Sequence, residues 1–420
     1  MKGVKGLGGL TSPPSPPPST RRRQRRRREG RASSERINSI ACARHERRSE
    51  ALESEVSWVA SSVSSASSSS FDANQDANES EQVRFPFTLS CSSSRSLKKW
   101  SVVIPTYNRL GILKKCLAAL ETQELEGSGI EAYEVVVVDD ESEDDTVKHI
   151  EEEDVYSKVK LVKAEHGGAA AARNVGTRAS RGGVIVFIDS DMVVTQTFLK
   201  SHARKLYDSF KRHGDCLSFT YGAVINTNNF DSPESEPHKV SDYSAAFFAT
   251  GNVAIAYDTL MGTNTKAERD VDRDGDDGPF DVNFSTYGWE DLELGERLRG
   301  IGSRLVHAPE AVGYHWHPPF KMEDLGALVE REMQRGANGI KFFMKHPNLR
   351  VRLMIQYTPI HFVLWWLLTL GGLLSAKRMS RVFGLLCKKG FHRAAALLLV
   401  PILNWECVKA TFKAARESGV

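Results

Sequence analysis

Five apolar residues, Val184 to Ile188, run directly into Asp189-Ser190-Asp191. In an extended strand alternate side chains share a face, so both carboxylates point to one spot at the strand's C-terminal mouth. Two converging carboxylates are unstable together unless a positive group sits between them. Other polar clusters close apolar runs in the same way: Thr106-Tyr107-Asn108 after "SVVIP", and Asp139-Asp140 after "YEVVVV".

These residues need a frame that gathers the strand ends. "WSVVIPTYN", "YEVVVVDDES", "KVKLVKAE" and "GGVIVFIDSD" are short β-branched runs, with helix-like stretches at 109–123, 143–152 and 168–180 between them. Strand–helix–strand alternation with near-continuous apolar strands predicts an α/β fold whose mostly parallel sheet is buried on both faces. In such sheets ligands bind beyond the carboxyl ends of the strands, where these acids lie.

The flanks differ from this frame. The 420 residues carry a formal net charge of only +3, so nothing global demands a nucleic-acid partner. Residues 1–98 hold a proline cluster, RRRQRRRR at 21–28 and serine tracts, with too little apolar surface to fold. No aromatic residue interleaves with those arginines, so targeting is favoured over nucleic-acid binding. The Arg- and Ser-rich start suits an organelle transit peptide, plastid first and mitochondrion as the alternative, since Pro13, Pro14 and Pro16–Pro18 oppose an amphipathic helix. The six cysteines lack metal-site spacing and read as free thiols in a reducing compartment. Leu353 to Ala376 holds no charged residue and is flanked by Arg350, Arg352, Lys377 and Arg378, which predicts membrane association, spanning or interfacial. A second apolar stretch, 394–405, is too short to span and contains Pro401. Asp270, Asp272 and Asp274 imitate the start of a calcium loop, but Asp281 stands where the closing Glu belongs; 263–279 reads as a mobile acidic insertion.

"SVVIPTYNR", "VVVVDDES", "GGAAAARNVG", "FIDSDM", "GPFDVNFSTYGWEDLELGERLRGIG" and "VGYHWH" occur in an order that resembles family 2 glycosyltransferases of the GT-A fold, from about Ser101 to Pro318. The 280–302 stretch also resembles the C-terminal catalytic segment of galactosyltransferases. The resemblance implies that Asp189 and Asp191 form a DxD motif holding Mn2+ or Mg2+ against a nucleotide-sugar diphosphate, with Asp191 the more direct ligand. His315 or His317 would add a third ligand. Pro105, Thr106, Tyr107, Asn108, Asp139 and Asp140 would form the nucleotide pocket, with Asp140 the favoured base contact; Glu141 stands where the family often has Gly. Arg173 and Asn174, beside a helix N-terminus, would meet the diphosphate. Gly251 and Asn252 would line the donor sugar. Asp291 would be the base of an inverting transfer and Glu290 would orient the acceptor, with Tyr287 or Trp289 as a sugar platform.

These readings give three segments: 1–98 for targeting, 99–350 for a GT-A domain, and 351–420 for an apolar helical region. The expected activity moves a hexose from a UDP-sugar to a glycan or lipid hydroxyl. The alternatives are a polyprenyl-phosphate glycosyltransferase, or a non-enzymatic nucleic-acid-binding scaffold with a degenerate transferase domain.

Overall fold

The computed structural model describes residues 95–152, 156–235, 250–263, 278–284, 286–318 and 320–420. The targeting and disorder expectations for residues 1–94 lie outside the described residues, as does the calcium-like motif at 270–275.

Strand β1 (Lys99–Thr106) leads to α1 (Leu110–Glu121), β2 (Ala132–Asp139) to α2 (Thr146–Glu152), and β3 (Val159–Lys163) to α3 (Gly168–Ala179). Strand β4 (Val184–Ile188) then ends at the Asp189–Asp191 turn and is followed by β5 (Met192–Val194) and α4 (Phe198–His213). Next come β6 (Ser218–Thr227), β7 (Asn252–Ala256), α5 (Tyr257–Met261), α6 (Glu290–Gly300) and β8 (Arg304–Trp316). The strands form one sheet in the order β3-β2-β1-β4-β7-β6-β8-β5. The first four are parallel, as expected. Beyond β4 the sheet is mixed: β7 runs antiparallel to β4 and β6, while β8 runs parallel to β6 and antiparallel to β5.

Both faces of the parallel half are covered, which is why its strands carry no polar alternation. Val102 and Ile104 of β1 pack with Leu113 and Leu117 of α1 and Phe198 of α4. Val103, between them, faces the other way and joins Val136, Phe187, Ala172, Leu294 and Phe280. Phe187 is 1% exposed and meets Phe280 edge-on at 5.2 Å, fastening the 278–284 segment to the sheet. Truncating such a ring to alanine costs about 3–5 kcal/mol. Gly176 on α3 is required by closeness: a Cβ there would sit 2.4 Å from a Val103 methyl.

After β8 come α7 (Leu325–Lys345), α8 (Leu349–Met354), α9 (Pro359–Leu368), α10 (Ala376–Lys388) and α11 (His392–Glu417). Two expectations are corrected here. The apolar stretch 353–376 is not one span: α9 has ten residues, and the chain turns at Leu370, Gly371 and Gly372, all at positive φ. Ten helical residues extend about 15 Å, half of a hydrocarbon core of about 30 Å. The stretch 394–405, expected to be short and broken, instead lies inside the 26-residue α11, which continues through Pro401. It is the one helix among the described residues long and apolar enough to cross a membrane. Its packed face carries Leu399, Ile402, Cys407 and Val408, all buried. The thiol reading is corrected at one position. Cys116, Cys387 and Cys407 are free, whereas Cys216 is disulfide-bonded.

Candidate active site

The turn that ends β4 is the centre of the site. Its backbone is tied to β8, because Trp316 N–H donates to Asp191 O at 2.9 Å and Met192 pairs with His315. On the other side of β8, His315 pairs with Asn226 of β6. This register sets the His315 ring beside Asp191, with Nε2 at 3.5 Å from Asp191 Oδ1. The other ring nitrogen, Nδ1, is 3.1 Å from Asn226 Oδ1, which accepts its proton. A neutral ring held this way turns its Nε2 lone pair toward a carboxylate oxygen that is buried without a hydrogen bond. A divalent metal between that nitrogen and the carboxylate would satisfy both, so the pair fits a metal with an oriented His ligand. Among the described residues no group of three or more His, Cys, Asp or Glu side chains converges. His317 lies past the end of β8, its ring centroid 6.4 Å from that of His315.

Two arginines compensate the acids. Arg109 donates to Asp191 Oδ2 and is half exposed. Arg173, expected at the diphosphate, is instead buried on α3, where it donates to Asp189 Oδ1 at 2.8 Å and to Glu290 Oε1 at 3.2 Å. Burial opposes its charge, but Asp189 and Glu290 more than offset this and hold it protonated. Gly251 lies against the same turn: a Cβ there would stand 2.8 Å from Asp189 Oδ2.

Past the ends of β1 and β2 the side chains expected to meet a nucleotide divide their contacts differently from the expectation. Asp140 accepts from the Gly167 and Gly168 N–H groups at 2.9 and 3.0 Å, so its carboxylate fills the α3 N-terminus. That is the anion position expected for a diphosphate. Asp139 is buried, accepts from Ser142 N–H at 3.0 Å through Oδ2, and leaves Oδ1 without a partner. Thr106, its register partner, has a buried Oγ1 that is likewise unpaired. Pro105 sits one residue before, paired with Val138. Tyr107 is exposed, its ring 4.6 Å from that of His166. Asn108 adopts a left-handed φ of 50° and accepts from Glu143 and Asp144 N–H, latching this loop to the next. Glu141, at the family's frequent Gly position, keeps the left-handed shape with φ 67°.

The opposite wall comes from the residues ahead of α6. Gly288 and Trp289 both have positive φ, 99° and 81°, and this kink aims the first turn of α6 at the β4 turn. A left-handed Trp is a rare conformation, held here because Trp289 Nε1–H donates to Arg335 O at 2.6 Å and its ring stacks on Phe342. Trp289 is therefore core, not platform. Asn338 of α7 supports the turn by donating to Thr286 and Tyr287 oxygens. Tyr287 remains 45% exposed under the Arg331 guanidinium, 4.3 Å from its ring centre. Burial, with help from the Glu290 charge, pushes the Asp291 carboxyl up to about 7, although Arg173 pulls it down.

Two expected contacts have structural tasks. Asn174 is buried, donating to Phe280 O and accepting from Phe280 N–H, both at 2.8 Å. Asn252 is buried at the sheet's centre, where Oδ1 accepts from His202 Nε2 and Nδ2 donates to Ala223 and Ala311 oxygens. Arg109, Asn226 and Asn338 carried no sequence signal of their own, although Arg109 sits inside a quoted motif.

Residues 101–271 match the sequence family described as Glycosyl transferase family 2. The chain is 27% identical over 299 residues to the Escherichia coli chondroitin synthase, covering 62% of this chain and 39% of that protein. It is 27% identical over 258 residues to the Pasteurella multocida hyaluronan synthase, covering 53% of this chain and 25% of that one. The chain thus spans well under half the length of these two relatives. The crystal structure of S. aureus TarS 1–349 in complex with UDP-GlcNAc aligns with 76% of this chain and 92% of its own, at 16% identity and a TM-score of 0.39. With the motifs on one parallel-to-mixed sheet and the sequence match running through them, residues 101–271 are similar to glycosyl transferase family 2, on an α/β sheet of the kind a GT-A fold requires.

Proposed function

We propose that this domain is an inverting, metal-dependent hexosyltransferase that takes a UDP-sugar as donor and a hydroxyl of a glycan or lipid as acceptor. The observation that carries the reading is Asp291, a carboxylate held near neutrality at the acceptor wall and linked through Glu290 and Arg173 to the DxD turn. A base with a pKa near 7 is matched to removing a hydroxyl proton at neutral pH. In the proposed step the acceptor oxygen attacks the anomeric carbon as the bond to the leaving diphosphate breaks on the opposite face, and the proton passes to Asp291. Glu290 and Tyr287 orient the acceptor. Asp191 and His315 would hold Mn2+ or Mg2+, which supplies positive charge for the leaving diphosphate. Asp139 Oδ1 offers the acceptor that a uracil N3–H requires.

A polyprenyl-phosphate acceptor fits less well, because a phosphate is already ionised and has no use for a base tuned near 7. The degenerate-scaffold alternative is disfavoured by the same carboxylates. The Arg- and Ser-rich residues 1–98 would carry an organellar address, plastid first, which a fluorescent fusion of that segment tests by where it goes.

The experiment is a donor panel of UDP-, GDP- and dTDP-sugars offered to the full chain with and without Mn2+. Binding and slow donor hydrolysis would be read for wild type, Asp191→Ala and Asp291→Asn. The expected outcome is metal-dependent binding of UDP-sugars only, lost in Asp191→Ala and retained without turnover in Asp291→Asn. Failure of every nucleotide to bind under all conditions would remove the transferase reading.

A further inference from the structure

Residues 334–405 contain eleven Lys and Arg and no Asp or Glu, in a chain whose formal net charge is only +3. The same stretch leaves large apolar side chains in solvent: Ile360, Trp366 and Leu367 on α9, Leu370 and Leu373 in the turn after it, and Leu397 on α11, all 45–78% exposed. The elements that carry them are packed on one another. Phe362 of α9 meets Trp405 of α11 at 5.1 Å, and Leu374 and Met379 join Phe383, Leu399 and Ile402 in one cluster. Exposed Arg378, Arg381, Lys388, Lys389 and Arg393 lie in the same elements.

Leu370 is the most telling of these residues. Its φ is +52°, a conformation that costs an ordinary side chain about 1–2 kcal/mol and that Asn or Gly adopts readily. It contributes little to the core at 61% exposure. Packing within the fold therefore gives no reason for an apolar side chain there.

We infer that α9, the 369–375 turn and the exposed sides of α10 and α11 form an in-plane docking surface for an anionic lipid bilayer. Apolar side chains would enter the acyl boundary while the unopposed basic residues meet acidic headgroups. Trp366 suits that boundary. Crossing the bilayer is disfavoured by the fold. α9 is too short, and α11 packs along α7 and buries Leu399, Ile402, Cys407 and Val408, so insertion would strip a buried face from the protein. A second copy is also a poor occupant, because a two-fold interface would set this predominantly basic surface against itself. The inference goes beyond the transferase reading and does not depend on it, since docking is read without donor or acceptor.

The test is co-flotation of the full chain with vesicles of phosphatidylcholine alone or mixed with phosphatidylglycerol, at low and high salt. The mixed vesicles should carry the protein, the neutral ones far less, and high salt should release part of it. The double variant Leu370→Asn, Leu373→Asn should lower binding on the order of tenfold with the melting temperature unchanged or raised. Any of four results overturns the inference: no flotation on either vesicle, equal flotation on both, undiminished binding by the double variant, or retention through an alkaline carbonate wash with α11 protected from protease. A stable dimer that does not float would also overturn it, assigning the face to contact between copies.

Discussion

Glu290 of α6 reaches back 3.2 Å to Arg173 of α3, whose guanidinium also holds Asp189 at the end of β4. One buried cation thus joins the first acid of the DxD turn to the wall that carries Asp291. Arg173→Met would leave two carboxylates facing each other with no compensation. Asp189 and Glu290 keep 36% and 17% of their side chains in solvent, so losing the cation should cost about 1–3 kcal/mol of stability. The loss should shrink when Glu290→Gln is added, because the second change removes one of the orphaned charges. Denaturant melts of the two singles and the double read that coupling.

The raised Asp291 carboxyl makes activity and stability run in opposite directions. A base must be ionised, so turnover should fall as pH drops below about 7. The linkage has the other sign. The folded state binds this proton more tightly than the unfolded state, whose carboxyl titrates near 3.8. Stability contributed by the protonated form is therefore complete below 3.8 and lost as pH rises toward 7. Asp291→Asn should abolish turnover and melt higher than wild type at pH 8, with the gain vanishing below pH 4. A lower melting temperature for Asn at pH 8 would contradict the assignment.

The proposed uracil contact predicts a discrimination between neighbouring acids. Asp139 Oδ1 is free, whereas both oxygens of Asp140 are engaged by Gly167 and Gly168 N–H groups. Asp139→Asn should weaken UDP by about 1–3 kcal/mol, since it swaps an acceptor for a donor or leaves one unpaired. Asp140→Asn should act mainly on stability by loosening the start of α3. Calorimetric titration with UDP, set beside thermal melts of the two variants, separates these effects.

Glu141 holds a left-handed φ of 67° in an exposed turn. Glu141→Gly should relieve that strain but lose the carboxylate that accepts from His166 N–H at 3.2 Å, leaving stability within about 1 kcal/mol of wild type. Donor affinity should stay constant because the backbone shape is retained. A drop in donor affinity would show that the Glu side chain itself serves the pocket.

The sequence made the parallel half of the sheet legible because its strands are unbroken apolar runs, each followed by a helical period. Strand direction beyond β4 was not legible: "NVAIA" is an apolar run that reads the same toward either neighbour. The DxD and ED acids stood out by residue type and spacing. Their partners did not, since Arg109, Asn226 and Asn338 gain meaning only through register and packing. Arg173 was visible but misplaced, because a guanidinium beside a Gly-rich loop looks the same whether it awaits a phosphate or is buried between two carboxylates. The break in 353–376 did carry a signal, the Gly371-Gly372 pair, but one that a hydropathy reading weighs too lightly. Hydropathy counts charge, and the turn at Leu370–Gly372 contains none.

Spacing alone left His315 and His317 equivalent, and the β6–β8 register separates them. Asn226 fixes the His315 ring with Nε2 toward Asp191, whereas His317 lies beyond the strand. His315→Gln should therefore weaken Mn2+ binding to the full chain far more than His317→Gln. Asn226→Ala should cost about 10–100-fold while leaving every ligand in place, the range seen when the group that orients a metal-bound His is removed. Water-proton relaxation or the Mn2+ paramagnetic signal, titrated with UDP present and no acceptor, reads affinity without turnover. Equal losses in the two His variants would mean that the metal sits further out along the strand and that the ring facing Asp191 serves only as its hydrogen-bond partner.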